Sequence, residues 1–348
     1  MALSTRGKTV IGVAVVVVLL AAAALGYFLL TGGGPLAGIR GGLGRPKICP
    51  LTGLEAGEGR TVPERRALAV KIENISVSRP QVGLQAADIV YEQPVEGGIT
   101  RFVVVFQCGD AARLGPVRSV RESDPMILVQ FGSPLFGYSG GIPQVKQSIR
   151  AAGVLDVGID EAPEAYELDP NREAPHNLYT STRALYRAGR GGRDLPDPVF
   201  TFDEDLSSQG ARRAREVHVN FSPESDVLWR YRRGQDRYLR FHGSEPHTLE
   251  DATQVSATNV VVQVVVVRST GRLDPRGTPV PEPVLIGRGS AFVFRNGRVI
   301  QGRWIRESRG EITRFEDRQG NEIALAPGTT WVELFPRERF DAEGLTFG

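Results

Sequence analysis

Lysine is close to absent from this chain. In 348 residues it occurs only at Lys8, Lys47, Lys71 and Lys146, so nearly all positive charge rests on arginine. The planar guanidinium fork suits carboxylates and phosphates, but genomic base composition gives the same bias, so the global excess carries no functional weight. The formal net charge is only +2, which removes any argument from bulk charge for a nucleic-acid or membrane-surface partner. Cysteine is restricted to Cys49 and Cys108, and neither closely follows the N-terminal apolar run, which argues against a lipid-modified cysteine there. There is no P-loop, dinucleotide fingerprint or recognised nucleic-acid motif, and no internal repeat. No cofactor, no resident metal and no nucleic-acid partner is expected.

What is present is a folded-protein composition, 41% hydrophobic and 24% charged, long enough for about two globular domains. The run from Val10 to Leu30 is uncharged and long enough to cross a ~30 Å hydrocarbon core. Tyr27 and Phe28 lie near its end, where aromatics favour the interface. Ala21 to Ala24 offer signal-peptide cleavage sites, but continuation to Leu30 favours an uncleaved anchor over residues 1–31. Arg6 and Lys8 favour the short end inside; Arg40, Arg45 and Lys47 weigh against it. A glycine-rich linker follows over 32–48. The expected protein is single-pass in the cell membrane, with its folded domains outside the cytoplasm. Cys49 and Cys108 would then be joined; the alternative is two buried thiols in a cytosolic protein.

Residues 49–198 mix strand and helix signals. Strands are expected over 67–74, 88–95, 99–108 and 135–139. Helices are expected from Ser123-Asp124-Pro125, over 143–152 and over 181–188. Residues 199–340 carry dense strand signals with an Asn296-Gly297 hairpin turn. The fold class is therefore α+β: a mixed α/β N-terminal domain followed by a mainly antiparallel β domain, with a loose tail over 341–348.

The segments KIEN, RPQVGLQAADIVYE, EGGITRF, GPVRSVR and APHNLYTS, then RYLRFHGSEPHTLED, ATNVVV and GSAFVFRNGRVIQGRW, together resemble the YerB-like family of bacterial lipoproteins. The resemblance spans roughly residues 50–336. It implies a two-domain envelope protein of unknown function displayed outside the membrane. Two departures stand out: a transmembrane run replaces the lipidated cysteine, and the aromatic-x-Arg-Asp element reads Tyr166-Glu167-Leu168-Asp169.

Arg101, Arg118 and Arg121 are the candidate ligand residues. If Val117 to Glu122 forms one helical turn, Arg118 and Arg121 share a face, where two guanidinium groups can clamp an anion. Arg101 joins from the neighbouring strand, with Glu92 and Glu96 flanking the same turn. The alternative is a structural charge network. His176 and Asn177 lie in a proline-introduced loop, His176 as a candidate acid–base group and Asn177 as a ligand contact. Asn74 reads as a turn residue. GYSGG (137–141) formally matches a nucleophile elbow, but Pro143 delays the helix that an elbow needs. His242, Glu245, His247 and Asp251 match no metal spacing. ARRAR (211–215) and the arginines of 229–240 are placed to meet a polyanion, or simply form one solvated hairpin face. The leading function is binding of an anionic envelope ligand or scaffolding of an envelope complex. The alternative is an envelope hydrolase or transferase using Glu92, Glu96 or His176 as acid–base groups. A third reading gives function to a protein interface on the β domain.

Overall fold

The structure, a computed structural model, describes residues 47–57, 61–189, 192–205, 210–274 and 276–348. The Val10–Leu30 run and nearly all of the linker lie outside the described residues. Among the described residues no helix is long and apolar enough to cross a membrane.

The N-terminal half supplies strands β1 (Leu68–Glu73), β2 (Ile89–Pro94), β3 (Thr100–Phe106), β4 (Leu135–Gly137), β5 (Leu155–Asp156), β6 (Tyr166–Leu168) and β7 (Leu178–Thr180). Helices Asp124–Leu128, Pro143–Ala151 and Thr182–Ala188 run between or after them. Ser181 caps the last by accepting from Ala184 N at 3.1 Å. β2 and β3, the strands expected over 88–95 and 99–108, pair as an antiparallel hairpin. Gly97 and Gly98, both at φ 73°, make its turn, a backbone region that costs glycine little.

The C-terminal half supplies β8 (Arg212–Arg213), β9 (Glu216–Ser222), β10 (Ser225–Arg232), β11 (Arg237–His242), β12 (Glu245–Pro246), β13 (Ser256–Ala257) and β14 (Asn259–Val265). It continues through β15 (Val267–Leu273), β16 (Pro279–Pro283), β17 (Gly287–Arg295), β18 (Arg298–Arg306), β19 (Arg314–Asp317), β20 (Thr330–Pro336) and β21 (Leu345–Phe347). Asn296 and Gly297, at φ 52° and 69°, turn β17 into β18 as a primed hairpin turn requires.

The expected division near residue 198 interrupts the chain but not the sheet. One 11-stranded sheet runs β19-β18-β17-β14-β20-β2-β3-β1-β4-β5, with β8 on β18. β20 sits at its centre, parallel to β14 on one side and to β2 on the other. The expected mainly antiparallel pairing therefore fails at β20. Strands buried on both faces carry continuous apolar runs instead of alternating ones, and β14 (NVVVQVV) is buried at all seven positions. Alternation offered no clue to its neighbours.

A second sheet, β12-β11-β10-β9-β21 with β13 on β11, covers one face of the first. Val70, Val90, Phe102, Val104 and Trp331 meet Val217, Val219, Trp229 and Tyr238 between the sheets. The opposite face packs Ala69, Tyr91, Val103 and Val332 against Ile127, Phe131 and Ile149 from the helical layer.

Two expectations are corrected here. The last residues are not loose: β21 pairs with β9, and Phe347 packs its ring 5.6 Å from Phe292 and 5.4 Å from Phe294. The segment Val117–Glu122 is not a helical turn. Val117 bridges Ile72 and Arg118 N donates to Lys71 O at 2.9 Å, so the segment runs alongside β1. Cys49 and Cys108 are joined in a disulfide across 59 residues, with Cα atoms 6.1 Å apart.

Candidate functional site

Strand parity decides which charged residues meet. Glu73 on β1, Arg101 on β3 and Gln93 on β2 stand in register, so their side chains share the face that carries the helical layer. Lys71, two residues before Glu73, shares that face too.

Around them the segment Arg118–Asp124 closes a polar network. Lys71 Nζ lies 2.7 Å from Asp124 Oδ1, both side chains sealed from solvent. Asp124 also accepts from Gln93 Nε2 at 2.5 Å and from Arg121 N at 2.7 Å. Burial outweighs this attraction and pushes Lys71 down to about 8. Ser123, expected to cap the helix, makes no capping bond; its hydroxyl bonds Gln93 instead.

Toward the surface, Arg118 Nε donates to Glu73 Oε1 at 2.7 Å, and His176 Nδ1 lies 2.7 Å from Glu73 Oε2. Arg121 holds Glu96 through Nε and Nη2, the latter donating to Oε2 at 2.8 Å. Arg101 differs from its neighbours. It is only 6% exposed; its side chain donates one long bond, Nη1 to Ser119 O at 3.3 Å; and its Nε finds no acceptor. Burial, then Arg121 and Arg118, push its guanidinium down to about 9. Four cations (Lys71, Arg101, Arg118, Arg121) thus share three carboxylates (Glu73, Glu96, Asp124), and Arg101 is the one with no carboxylate in ion-pair contact among the described residues.

The structure brings Arg101, Arg118, Arg121, Glu96 and His176 together. Glu92 is not with them. It is adjacent to Gln93 on an extended strand, so it points through the other face, where Arg240 Nη2 donates to both its oxygens at 3.0 and 2.8 Å. Thr100 Oγ1 also donates to it at 2.6 Å and Asn74 Nδ2 at 3.3 Å, so Asn74 is a buried network member rather than a turn residue. Arg240 continues to His247 Nδ1 at 2.8 Å, and His247 Nε2 lies 2.9 Å from Gln81 Oε1. Asn177 enters through its backbone, its carbonyl accepting from Asp169 N at 2.8 Å. Glu73 escaped the sequence reading, as did Lys71, Asp124 and Gln93. The available signal was two charged side chains at alternate positions of the otherwise apolar LAVKIE, which puts both on one face.

The remaining motifs resolve simply. Ser139 follows β4, and its N donates to Arg118 O at 3.0 Å. The next helix starts only at Pro143, and His176 is engaged by Glu73, so GYSGG builds no elbow. The His242 and His247 rings lie 4.3 Å apart, tilted by 47°, beside the Arg240 guanidinium. Glu245 is exposed and Asp251 accepts from Thr253 N at 2.9 Å, so these four residues do not converge. Leu168, in the position where the family resemblance implies arginine, is 67% exposed, and Asp169 pairs with Arg113.

A single sheet shared by two sequence halves, with charge networks on both faces near the join, defines a two-part β-rich protein. Residues 51–193 match the family model described as the N-terminal domain of a protein of unknown function (DUF3048), and residues 217–332 match that family's C-terminal domain. The chain belongs to this two-domain family, the family of YerB. It is 29% identical over 300 residues to the protein named "Putative lipoprotein YerB" of Bacillus subtilis (strain 168), covering 82% of this chain and 86% of the relative. The crystal structure of YerB from Bacillus subtilis superposes with a TM-score of 0.73 at 25% identity, over 86% of this chain and 99% of that one.

Proposed function

We propose that this is an envelope protein, held at the membrane with its folded part outside the cytoplasm, that binds an anionic group of a ligand at Arg101, Arg118 and Arg121. The observation that carries the binding reading is Arg101, nine-tenths buried, cationic and without a carboxylate. Isolated charges are costly to bury, and an incoming carboxylate or phosphate supplies the missing partner. Arg118 and Arg121 flank it at the surface and keep their own carboxylates, which orients their forks. The envelope reading draws on the lipoprotein name of the Bacillus relative, on the disulfide and on the Val10–Leu30 run.

Calorimetric titration of the full-length protein with inorganic phosphate and with acetate tests the site. Binding that weakens at least tenfold in Arg101→Met supports it. Absence of binding by the wild type, or undiminished binding by the variant, overturns it. Location is read separately: external protease added to spheroplasts should digest residues 49–348, and complete protection would sink the envelope assignment.

A second reading rests on one contact. A buried carboxylate on Nδ1 of a partly exposed histidine is the arrangement that orients a general base, and Glu73–His176 has it beside three arginines. In that reading the acid–base pair is Glu73–His176, with Glu92 excluded by its burial behind the sheet.

A further inference from the structure

At the far end of the main sheet, the C-terminal half carries a cavity of about 500 Å3 lined by Arg213, Arg215, Arg233 and Arg298 together with Tyr231, Asp236, Asn296 and Gly297. The elements that build it are separate in sequence: strand β8 and the residue pair after it, the β10–β11 turn, and the Asn296-Gly297 hairpin turn. All four arginines are exposed. None of their guanidinium groups is in ion-pair contact with a carboxylate among the described residues, although the backbone N of Arg215 donates to Gly348 O. Arg298 donates only to a carbonyl, Ala211 O, at 3.3 Å. The one carboxylate in the lining, Asp236, is taken by the Tyr231 hydroxyl at 2.5 Å. Four positive charges therefore face one engaged negative charge.

The register makes this arrangement costly. Arg213 stands directly opposite Arg298 in the β8–β18 ladder, where like charges destabilise the pairing. A surface face that merely needs solubility has no reason to oppose two arginines across a ladder and add two more around the same cavity. The floor is also closely fitted: a Cβ at Gly297, at φ +69°, would come within 2.7 Å of the Tyr231 ring, so the turn lies flat against the aromatic and leaves the guanidinium groups as the rim.

We propose that this cavity is a second anion site, distinct from the Arg101 site, for a ligand bearing two or more phosphate charges. A single carboxylate would leave most of the rim unneutralised. Guanidinium groups on different loops suit several phosphoryl oxygens at once, and the volume exceeds that of one phosphate. The same chemistry is presented by a phosphodiester polymer, a free polyphosphate and the headgroups of an anionic lipid surface.

The test uses the full-length protein and inorganic tripolyphosphate in calorimetry, with Arg213→Gln/Arg298→Gln as the variant. Tripolyphosphate should bind the wild type, more weakly as salt rises, and at least tenfold more weakly in the double variant. The same comparison is made in an Arg101→Met background, which removes the first site's share of the phosphate. Arg101→Met should still bind tripolyphosphate, and adding Arg213→Gln/Arg298→Gln to it should weaken that binding at least tenfold, which separates this site from the one proposed above. The double variant should unfold at a temperature equal to or above that of the wild type, because it relieves a like-charge pair. No binding by the wild type, or equal binding by a folded double variant, overturns the proposal. Sedimentation with phosphatidylglycerol vesicles in excess of that with neutral phosphatidylcholine vesicles, an excess that the double variant loses, assigns the phosphates to a lipid surface, because the Val10–Leu30 run contributes equally to both. Tripolyphosphate binding without vesicle sedimentation assigns them to a soluble or polymeric phosphate.

Discussion

Glu92 and Glu333 face each other across the β2–β20 ladder, one from each half of the chain, and both are closed off from solvent. Only Glu92 receives a cation, Arg240, which is itself fully buried. Glu333 instead accepts from Trp229 Nε1 at 2.8 Å. Burial, then the neighbouring Glu92 charge, push Glu333 well above the ordinary carboxylate range. The two carboxyl groups thus play opposite roles: one is the anion of an ion pair, the other is kept neutral beside it.

The two glutamates should therefore respond differently to the same substitution. Glu92→Gln strands the Arg240 charge in the core and should cost ~3–5 kcal/mol of stability. Glu333→Gln imitates the neutral form, keeps an acceptor for Trp229, and should stay within ~1 kcal/mol of the wild type at neutral pH. Urea unfolding of both variants measures the difference. Equal losses would show that Glu333 is ionised in the folded protein.

The same pair sets a pH dependence with a definite sign. Glu333 has a folded value raised above its unfolded one, so the folded state holds the proton more tightly. The associated stability is fully present below the unfolded value, near 4.5, and is lost as pH rises toward the folded value. Relative to Glu333→Gln, the wild type should lose stability from about pH 4.5 upward, at a slope of up to ~1.4 kcal/mol per pH unit. Urea midpoints of the two proteins, measured side by side over that range, give the slope directly. A wild type that gains on the variant as pH rises would contradict the assignment.

How far the sequence reached depends on the kind of signal. Local signals reached well. The EGG turn and the Asn296-Gly297 hairpin each fix a few residues by backbone chemistry alone, and the elements around them lie within a residue or two of expectation. Long-range pairing was not legible. Nothing in TWVELF says that it lies between β14 and β2, because a strand buried on both faces has no alternation to read. That one strand fuses the two halves into a single sheet. Within the site, the three arginines were visible as a dense cluster in the primary sequence. Of the two expected carboxylates, Glu96 meets Arg121, whereas Glu92 lies on the opposite face from its neighbour Gln93, and Glu73 meets Arg118 instead. The ordered tail was missed for a related reason, since the partner of β21 lies more than a hundred residues earlier.

The Cys49–Cys108 disulfide closes a loop of 59 residues, which limits the unfolded chain by about 4 kcal/mol in the chain-entropy model. It ties the segment around the buried Leu51 to the end of β3, beside Asp88, which accepts from Cys108 N at 2.8 Å and Gly109 N at 3.2 Å. Cys49→Ser/Cys108→Ser should lower stability by ~2–5 kcal/mol while leaving the native fold in place, as circular dichroism with chemical unfolding can show. Two freely alkylated thiols in protein taken from its native compartment would rule the bond out.

Arg118 is the residue at which binding and structural support separate most cleanly. Its one side-chain hydrogen bond runs from Nε to Glu73, which leaves both terminal nitrogens for a ligand. Glu73 keeps His176 when Arg118 is removed, so the buried carboxylate is not orphaned and the fold has little to lose. Arg118→Ala should therefore weaken anion binding by about 1.5–3 kcal/mol, the worth of a charge-assisted hydrogen bond, with a much smaller change in stability. Arg118→Lys should recover part of the affinity, because lysine keeps the charge and loses the fork. Glu73→Gln should cost affinity as well, by releasing Arg118 from its oriented position. If the cluster were a structural network alone, the pattern would invert: Arg118→Ala and Glu73→Gln would both destabilise the fold, and no anion would bind even the wild type. Paired melting curves and phosphate titrations on the three variants distinguish the two patterns.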